Sequence, residues 1–168
     1  MLFALIASGV LLLSALFAYN RLTTRRCRCT KSMSGKTVVI TGANSGIGYE
    51  TARELALRGA RVVLACRGAE RARDAVARLA AETSGGDVSW LPLDTASEKS
   101  VRAFAGRLLR KTGGRLHVLV NNAGMVAPAA RRLTAEGHEE TWAINYLGHC
   151  LLTRLLLREY SAHAHSLR

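Results

Sequence analysis

The stretch Thr41-Gly42-Ala43-Asn44-Ser45-Gly46-Ile47-Gly48 follows directly after the apolar run Val38-Val39-Ile40. Gly42 can form a tight turn because it has no Cβ and accepts a positive φ. Gly46 lets the backbone approach a bound phosphate group, and Gly48 permits close packing of a helix on a strand. A strand, a glycine-rich turn and a helix in this order predict a site for a dinucleotide pyrophosphate at the helix N-terminus. The spacing differs from the standard Gly-x-Gly-x-x-Gly, so a purely structural turn is the alternative.

From Gly35 onward the sequence alternates between short apolar runs and amphipathic segments. The apolar runs predict four strands, at Thr37–Thr41, Arg61–Cys66, Val88–Leu93 and Leu116–Val120. The amphipathic segments predict four helices, at about Gly46–Arg58, Ala69–Glu82, Ser97–Lys111 and Ala135–Tyr160. We expect the first of these helices to bury Ile47, Ala52, Leu55 and Ala56. Strands separated by helices of this length indicate right-handed crossovers. The predicted fold is therefore α/β, a Rossmann-type doubly wound parallel sheet with four strands.

The chain opens with the uncharged run Leu2–Tyr19. As a helix, this run spans about 27 Å, close to the ~30 Å hydrocarbon core of a bilayer. A cleaved signal peptide is the alternative, but no Lys or Arg precedes the run and Leu16–Tyr19 offers no small-residue cleavage site. Basic residues follow the run instead, which places the N-terminus in the lumen and the rest of the chain in the cytosol. We therefore predict one uncleaved transmembrane helix, in the endoplasmic reticulum.

The net charge of +12 is partly explained by a basic cluster beside this run. No acidic residue occurs before Glu50, whereas the cluster holds Arg21, Arg25, Arg26, Arg28, Lys31 and Lys36. Such a cluster is typical of a topology signal in contact with anionic lipid. No stripe of basic residues interleaved with aromatic ones accompanies it, so nucleic acid is not a predicted partner.

The four cysteines do not form a disulfide framework. Cys66 ends a predicted buried strand, Cys150 lies in a helical pattern, and Cys27 and Cys29 lie beside the membrane. Reduced thiols are expected in a domain that faces the cytosol. Palmitoylation of Cys27 and Cys29 and a chance pair are equally open alternatives. No histidine shows metal-ligand spacing with acids or cysteines, and no metal site is predicted.

These patterns divide the chain into four segments. Residues 1–20 form the membrane anchor, 21–35 a basic linker, 36–157 the nucleotide-binding domain and 158–168 a tail that departs from the preceding pattern. The tail stands where a fifth strand is expected, which indicates a truncated or variant form.

Four motifs in order resemble the short-chain dehydrogenases/reductases. They are the Thr-Gly-x-x-x-Gly-x-Gly turn at Thr41–Gly48, Asp94 after the third strand, Asn121-Asn122-Ala123-Gly124 after the fourth, and Asn145 in the last helix. The sequences of Val62–Arg67 and Gly148–Thr153 are similar to those of the retinol dehydrogenase branch, whose members often carry an N-terminal membrane anchor. The resemblance covers about residues 36–157 and implies hydride transfer between a nicotinamide cofactor and a lipophilic alcohol or carbonyl such as a retinoid.

The resemblance implies one set of cofactor-binding residues: Gly42, Asn44, Ser45, Gly46, Ile47, Gly48, Arg67, Asp94, Asn121, Asn122, Ala123 and Gly124. It also gives Asn145 a supporting catalytic role through a water in a proton relay. Alternatives stay open: Asp94 can cap the next helix, the two asparagines can form a turn, and Asn145 can be a packing amide. We expect His149 to be a surface or packing residue rather than a catalytic base.

The end of the second strand decides the predicted cofactor. An acid there would bind both ribose hydroxyls and select NAD, but the residues are Cys66-Arg67-Gly68. Arg67 can pair with a 2′-phosphate, so NADP is predicted over NAD, unless Arg67 only faces solvent.

The resemblance also implies a tyrosine with a lysine four residues later and a serine on a fifth strand, which this sequence lacks. Residues four positions after Tyr19, Tyr49, Tyr146 and Tyr160 are Thr23, Arg53, Cys150 and Ala164. Two hypotheses follow: an incomplete form of a membrane-anchored NADP-dependent oxidoreductase, or an inactive nucleotide-binding product that associates with itself or with a full-length enzyme.

Overall fold

The computed structural model describes residues 2–23 and 29–166, with side chains for residues 6–23 and 29–157. It divides the chain into two compact units, residues 1–30 and residues 31–168. The expectations for Arg25, Arg26, Cys27 and Arg28 lie outside the described residues.

The first unit contains the helix α1, Leu2–Thr23. It extends past the predicted end at Tyr19, and the Thr23 hydroxyl donates to the Tyr19 carbonyl at 2.7 Å. Within α1, the segment Ile6–Thr23 is long and apolar enough to cross a membrane, and none of it is buried.

The second unit is built on a parallel sheet of four strands. They are β1 (Thr37–Thr41), β2 (Arg61–Cys66), β3 (Val88–Pro92) and β4 (Val118–Val120), in the order β3-β2-β1-β4. In register, Val39 pairs with Val63 on one side and with Leu119 on the other. All residues of β1 are buried, which agrees with its continuous apolar and β-branched sequence.

Helices cover both faces of this sheet. One face packs Val38, Ile40, Val62 and Leu64 against α2 (Gly46–Leu57) and α3 (Ala69–Glu82). The other face packs Val39, Val63 and Ala65 against α4 (Glu98–Thr112) and the last helix. The doubly wound parallel sheet predicted from the sequence is therefore confirmed.

The last helix differs from the prediction at its start. It begins at Glu140 rather than Ala135, as α5 (Glu140–Trp142), a π-helical turn (Ala143–Leu147) and α6 (Gly148–Ser166). The segment before it instead forms a bridge between Leu133 and Glu139, with a turn at Gly137. The Glu139 carboxylate then caps the helix by accepting from the N–H groups of Thr141 and Trp142 at 3.0 and 2.7 Å.

Smaller differences concern single residues. β4 begins at Val118 instead of Leu116, and Ile47 is 80% exposed rather than buried with Ala52 and Ala56. Met33 packs on the core and its N–H donates to the Arg58 carbonyl at 2.8 Å. Residues 31–35 thus belong to the second unit.

Candidate functional site

A large cleft lies at the carboxyl ends of the strands. The chain runs β1, β2, β3 toward one edge and then returns to place β4 on the other side of β1, so a crevice opens between β1 and β4. The cleft has a volume of about 620 Å³. Its walls include ten predicted site residues: Gly42, Asn44, Ser45, Ile47, Gly48, Arg67, Asp94, Asn122, Ala123 and Gly124. Gly46, Asn121 and Asn145 do not line it.

The glycine turn at the end of β1 is shaped by close contacts. Gly42 has a φ of +66°, and a Cβ built on it would come within 2.9 Å of the Ala123 Cα atom. A Cβ on Gly48 would come within 2.5 Å of the Asn122 side-chain nitrogen. These two glycines therefore let β1, α2 and the segment after β4 approach one another.

The first turn of α2 offers free backbone donors to the cleft. Within the described residues its N-cap Ser45 makes no side-chain capping bond, and its first turn holds no acid. By contrast, α4 is capped by Ser97, whose hydroxyl accepts from the Ser100 N–H at 3.3 Å. A Cβ on Gly46 would meet no atom within 4 Å, which leaves room beside these donors. This arrangement suits an anion such as a pyrophosphate.

Asn122 ties the ends of β4 and β1 together. Its side-chain nitrogen donates to the Thr41 carbonyl at 2.8 Å. The N–H groups of Asn122 and Ala123 both donate to the Thr41 hydroxyl oxygen, each at 2.8 Å. Asn121 instead donates to the Thr153 hydroxyl on α6 at 3.0 Å. Of the two asparagines, only Asn122 faces the cleft.

Asn145 lies in the π-helical turn and holds the segment after Gly124. Its side-chain oxygen accepts from the Met125 N–H at 2.9 Å, and its side-chain nitrogen donates to the Met125 carbonyl at 3.0 Å. Through these two bonds Asn145 positions the backbone at Gly124 and Met125, which lines the cleft.

The other end of the cleft, beside β2 and β3, is basic. Arg67 is 68% exposed, and its guanidinium lies 4.0 Å from the Asp94 carboxylate. Arg71, in the first turn of α3, also lines the cleft, with its guanidinium beside Gly68. The second carboxylate oxygen of Asp94 accepts from the Ala96 N–H at 3.0 Å, while Ser97 caps α4.

Cys66 lies at the floor of the cleft and is 3% exposed. Burial raises the pKa of its thiol, although the N–H groups of Ala43 and Asn44 oppose the shift. The thiol is therefore neutral at physiological pH and acts as an apolar wall rather than a nucleophile.

Sequence reasoning missed several wall residues: Arg71, Met125, Arg132, Glu140 and Ile144. Arg71 lies in the first turn of α3, a few residues after the end of β2, and its closeness in sequence to Arg67 is the signal that could have found it. Glu140 had no such signal. Its Oε2 atom is buried and has no hydrogen-bond partner within the described residues.

Comparison with known proteins places this architecture in a family. Residues 36–166 match the short chain dehydrogenase family. The chain belongs to the short-chain dehydrogenases. Within this family of oxidoreductases it resembles the retinol dehydrogenases, as the sequence motifs predicted.

Two curated relatives illustrate the likeness. Retinol dehydrogenase 12 of Bos taurus is 50% identical over 132 residues, which is 78% of this chain and 41% of the relative. Human retinol dehydrogenase 13 is 39% identical over 165 residues, 98% of this short-chain dehydrogenase and 49% of the relative. The chain therefore spans less than half the length of each of these relatives.

A solved structure supports the fold. The active-site complex of Pseudomonas aeruginosa RhlG with NADP has a TM-score of 0.65 and 35% identity. The match covers 75% of this short-chain dehydrogenase and 48% of the RhlG chain.

Proposed function

We propose that this chain is the cofactor-binding part of a membrane-anchored, NADP-dependent short-chain oxidoreductase. The enzyme would transfer a hydride between NADP(H) and a retinoid or another lipophilic alcohol or carbonyl. The observation that carries the proposal is the pair Arg67 and Arg71 at the end of the cleft beside β2, where the residues that follow the strand, Arg67 and Gly68, include no acid to select NAD.

The cleft residues fit such a cofactor. The N–H groups at the start of α2 would hold the pyrophosphate, and Arg67 and Arg71 would hold the 2′-phosphate by charge-assisted hydrogen bonds. Asn122, Gly124 and Met125 would line the nicotinamide end. When bound, the nicotinamide supplies or accepts the hydride. The RhlG structure, which contains NADP, supports a nicotinamide nucleotide as ligand.

The long ion pair between Arg67 and Asp94 adds to this assignment. The Asp94 carboxylate lies 4.0 Å from the Arg67 guanidinium, and the Arg67 side chain is mostly exposed to water. An exposed ion pair of this kind contributes little, so a phosphate can replace it at small cost. Arg67 is therefore free to turn from Asp94 to a 2′-phosphate.

The substrate class rests on the relatives and on α1. The similar proteins are named retinol dehydrogenases, and a retinoid partitions into membranes. An apolar helix of the length of α1 would hold the domain at the bilayer where such a substrate is concentrated. We propose the membrane of the endoplasmic reticulum, with the second unit in the cytosol.

A second candidate, nucleotide binding without turnover, is favoured by one observation. Within these 168 residues no tyrosine has a lysine four positions later. A free tyrosine titrates near 10, so an adjacent cation is needed for it to exchange a proton at neutral pH. We propose that this chain alone binds the cofactor, and that turnover by the whole protein requires such a pair from further sequence.

The experiment compares two products in the same detergent. The 168-residue chain, supplied with NADPH and retinal, is expected to give no retinol above a heat-inactivated control. A transcript of the same gene that encodes an in-frame Tyr-x-x-x-Lys segment is expected to give a product that reduces retinal. Failure of that longer product on retinal and on other lipophilic aldehydes would contradict the substrate assignment. Turnover by the 168-residue chain that is lost in Asn145→Ala would contradict its inactivity.

A further inference from the structure

His149 is the one buried ionisable group of α6 within the side chains that the structure describes, and the proposed cofactor contacts do not use it. It is 7% exposed. Its Nε2 atom lies 2.9 Å from the Thr41 hydroxyl oxygen, and its Nδ1 atom lies 3.2 Å from the Asn145 carbonyl oxygen. It thus joins the end of β1 to the π-helical turn.

The partners of His149 fix its hydrogen positions. A peptide carbonyl can only accept, so Nδ1 carries a proton and donates to Asn145. The two lone pairs of the Thr41 hydroxyl already accept from the N–H groups of Asn122 and Ala123. The Thr41 hydroxyl must therefore donate, and the atom placed to accept at 2.9 Å is Nε2 of His149. Its other neighbour, the Val120 carbonyl, is 3.4 Å away.

These bonds form one chain that reaches the cleft. His149 orients the Thr41 hydroxyl, which holds the backbone of Asn122 and Ala123. On its other side, His149 binds the carbonyl of Asn145, whose side chain holds Met125 from both its N–H and its carbonyl. Both arms end on the segment after β4, at the end of the cleft away from Arg67.

We infer that His149 is a positioning residue for the nicotinamide half of the cofactor. This inference rests on the proposed function, since it assigns the segment Asn122–Met125 to that half. It acts only through Thr41 and Asn145 and does not touch the ligand, because it does not line the cleft. Its removal should therefore weaken contacts at one end of the dinucleotide and leave the adenosine end intact.

Two variants separate the two arms of the chain. In His149→Asn, the short amide can still donate to the Asn145 carbonyl one helical turn earlier but cannot reach Thr41. In His149→Gln, the longer side chain places an acceptor oxygen near the former Nε2 position. The first variant therefore loses the Thr41 bond, and the second keeps it.

The test uses the full chain in detergent and two ligands, NADPH and adenosine 2′,5′-bisphosphate, which has the adenosine and 2′-phosphate without the nicotinamide half. His149→Asn is expected to bind NADPH about fivefold more weakly, the scale of one lost hydrogen bond. Its affinity for the bisphosphate should stay within about twofold, and His149→Gln should recover most of the NADPH affinity. Unchanged NADPH affinity, or an equal loss for both ligands, would overturn the inference.

Amide hydrogen exchange without ligand separates this inference from the proposed function. His149→Asn should exchange the Asn122 and Ala123 amides about fivefold faster, while His149→Gln stays near wild type. If the wild-type chain bound neither NADPH nor NADH, the proposed function would fail, and this exchange pattern would still decide whether His149 positions the segment. Unchanged exchange at both amides, or loss of folding in both variants, would contradict it.

Discussion

The side chain of Asn145 forms a reciprocal pair with the backbone of Met125, with an N–H···O bond of 2.9 Å in one direction and 3.0 Å in the other. The two residues belong to different elements, the π-helical turn and the segment after β4. The π-helical turn interrupts the regular α-helix at Asn145, and such turns are frequent at functional sites. The pair thus connects an irregular helix to the wall of the cleft.

Asn145→Ala should destabilise the chain because it removes both bonds of this pair. We expect the free energy of unfolding to fall by about 1–2 kcal/mol, the net value of two exposed hydrogen bonds. Urea denaturation followed by circular dichroism in detergent measures it. Asn145→Asp is the control, since it retains the acceptor for the Met125 N–H and should lose less. Equal losses in both variants would contradict the assigned geometry.

Gly48→Ala should damage the cleft itself. The new methyl group would lie 2.5 Å from the Asn122 side-chain nitrogen and 2.8 Å from the Gly42 carbonyl oxygen, so Asn122 must move and release Thr41. We expect a stability loss of about 1–3 kcal/mol, typical of overpacking, and weaker NADPH binding.

Gly106→Ala is the matched control for Gly48→Ala. Gly106 lies inside α4, where a Cβ would meet only the Arg110 guanidinium at 3.6 Å. Alanine should therefore stabilise this helix slightly and leave NADPH affinity unchanged. Titration of NADPH against both variants checks the pair of predictions, and a tolerated Gly48→Ala would argue against the close packing.

Much of the fold could be predicted from the sequence because the strands are continuous apolar runs. β1, β2 and α3 have the predicted bounds. The start of the last helix could not be predicted, because it depends on the turn at Gly137 and the cap from Glu139. The π-helical turn has no signal in residue pattern alone.

The candidate site could be predicted where a motif requires a particular residue type, such as glycine in a tight turn. Gly42, Asn44, Ser45 and Gly48 of the glycine turn and the segment Asn122–Gly124 line the cleft as the motifs indicated, whereas Gly46 does not. Ile47 also lines the cleft, but its predicted burial was wrong, because an apolar residue facing a ligand cleft has the same sequence pattern as one facing the core. The spacing of His149, Leu152 and Leu156 does indicate one buried face, but it does not reveal Thr41 as the partner.

The helix cap at Glu139 should make stability depend on pH. Hydrogen bonds from the Trp142 and Thr141 N–H groups hold the pKa of this carboxyl below its usual range. A lowered pKa in the folded state means that the stabilisation is present above the ordinary glutamate range and is lost as pH falls through the folded value.

Thermal unfolding of wild type and Glu139→Gln from about pH 7 to about pH 3 tests this linkage. The wild type should melt at the higher temperature near neutral pH, and the difference should shrink in acid. A difference that stays constant across the range would show that the charged carboxylate is not what caps the helix.

The helix α1 should anchor the chain in a membrane without being cleaved. Because its apolar segment Ile6–Thr23 is fully exposed, we expect the expressed chain to stay in the membrane fraction after alkaline carbonate extraction. The second unit should be digested by protease added to the cytosolic side. Deletion of residues 2–23 should release the chain, whereas recovery of a shortened, soluble chain from the lumen would indicate a cleaved signal peptide.

The central claim, that this cleft binds NADP(H) and that Arg67 contacts its 2′-phosphate, can be tested by titrating NADPH and NADH against the same preparation. Wild type should bind NADPH about tenfold or more tightly than NADH, since a charge-assisted contact is involved. Arg67→Asp should erase or reverse the preference. Arg73 lies on α3 and does not line the cleft. Arg73→Asp changes the net charge by the same amount as Arg67→Asp and should preserve the preference for NADPH. Equal affinities of wild type and Arg67→Asp for both cofactors, or binding of neither by wild type, would contradict the claim.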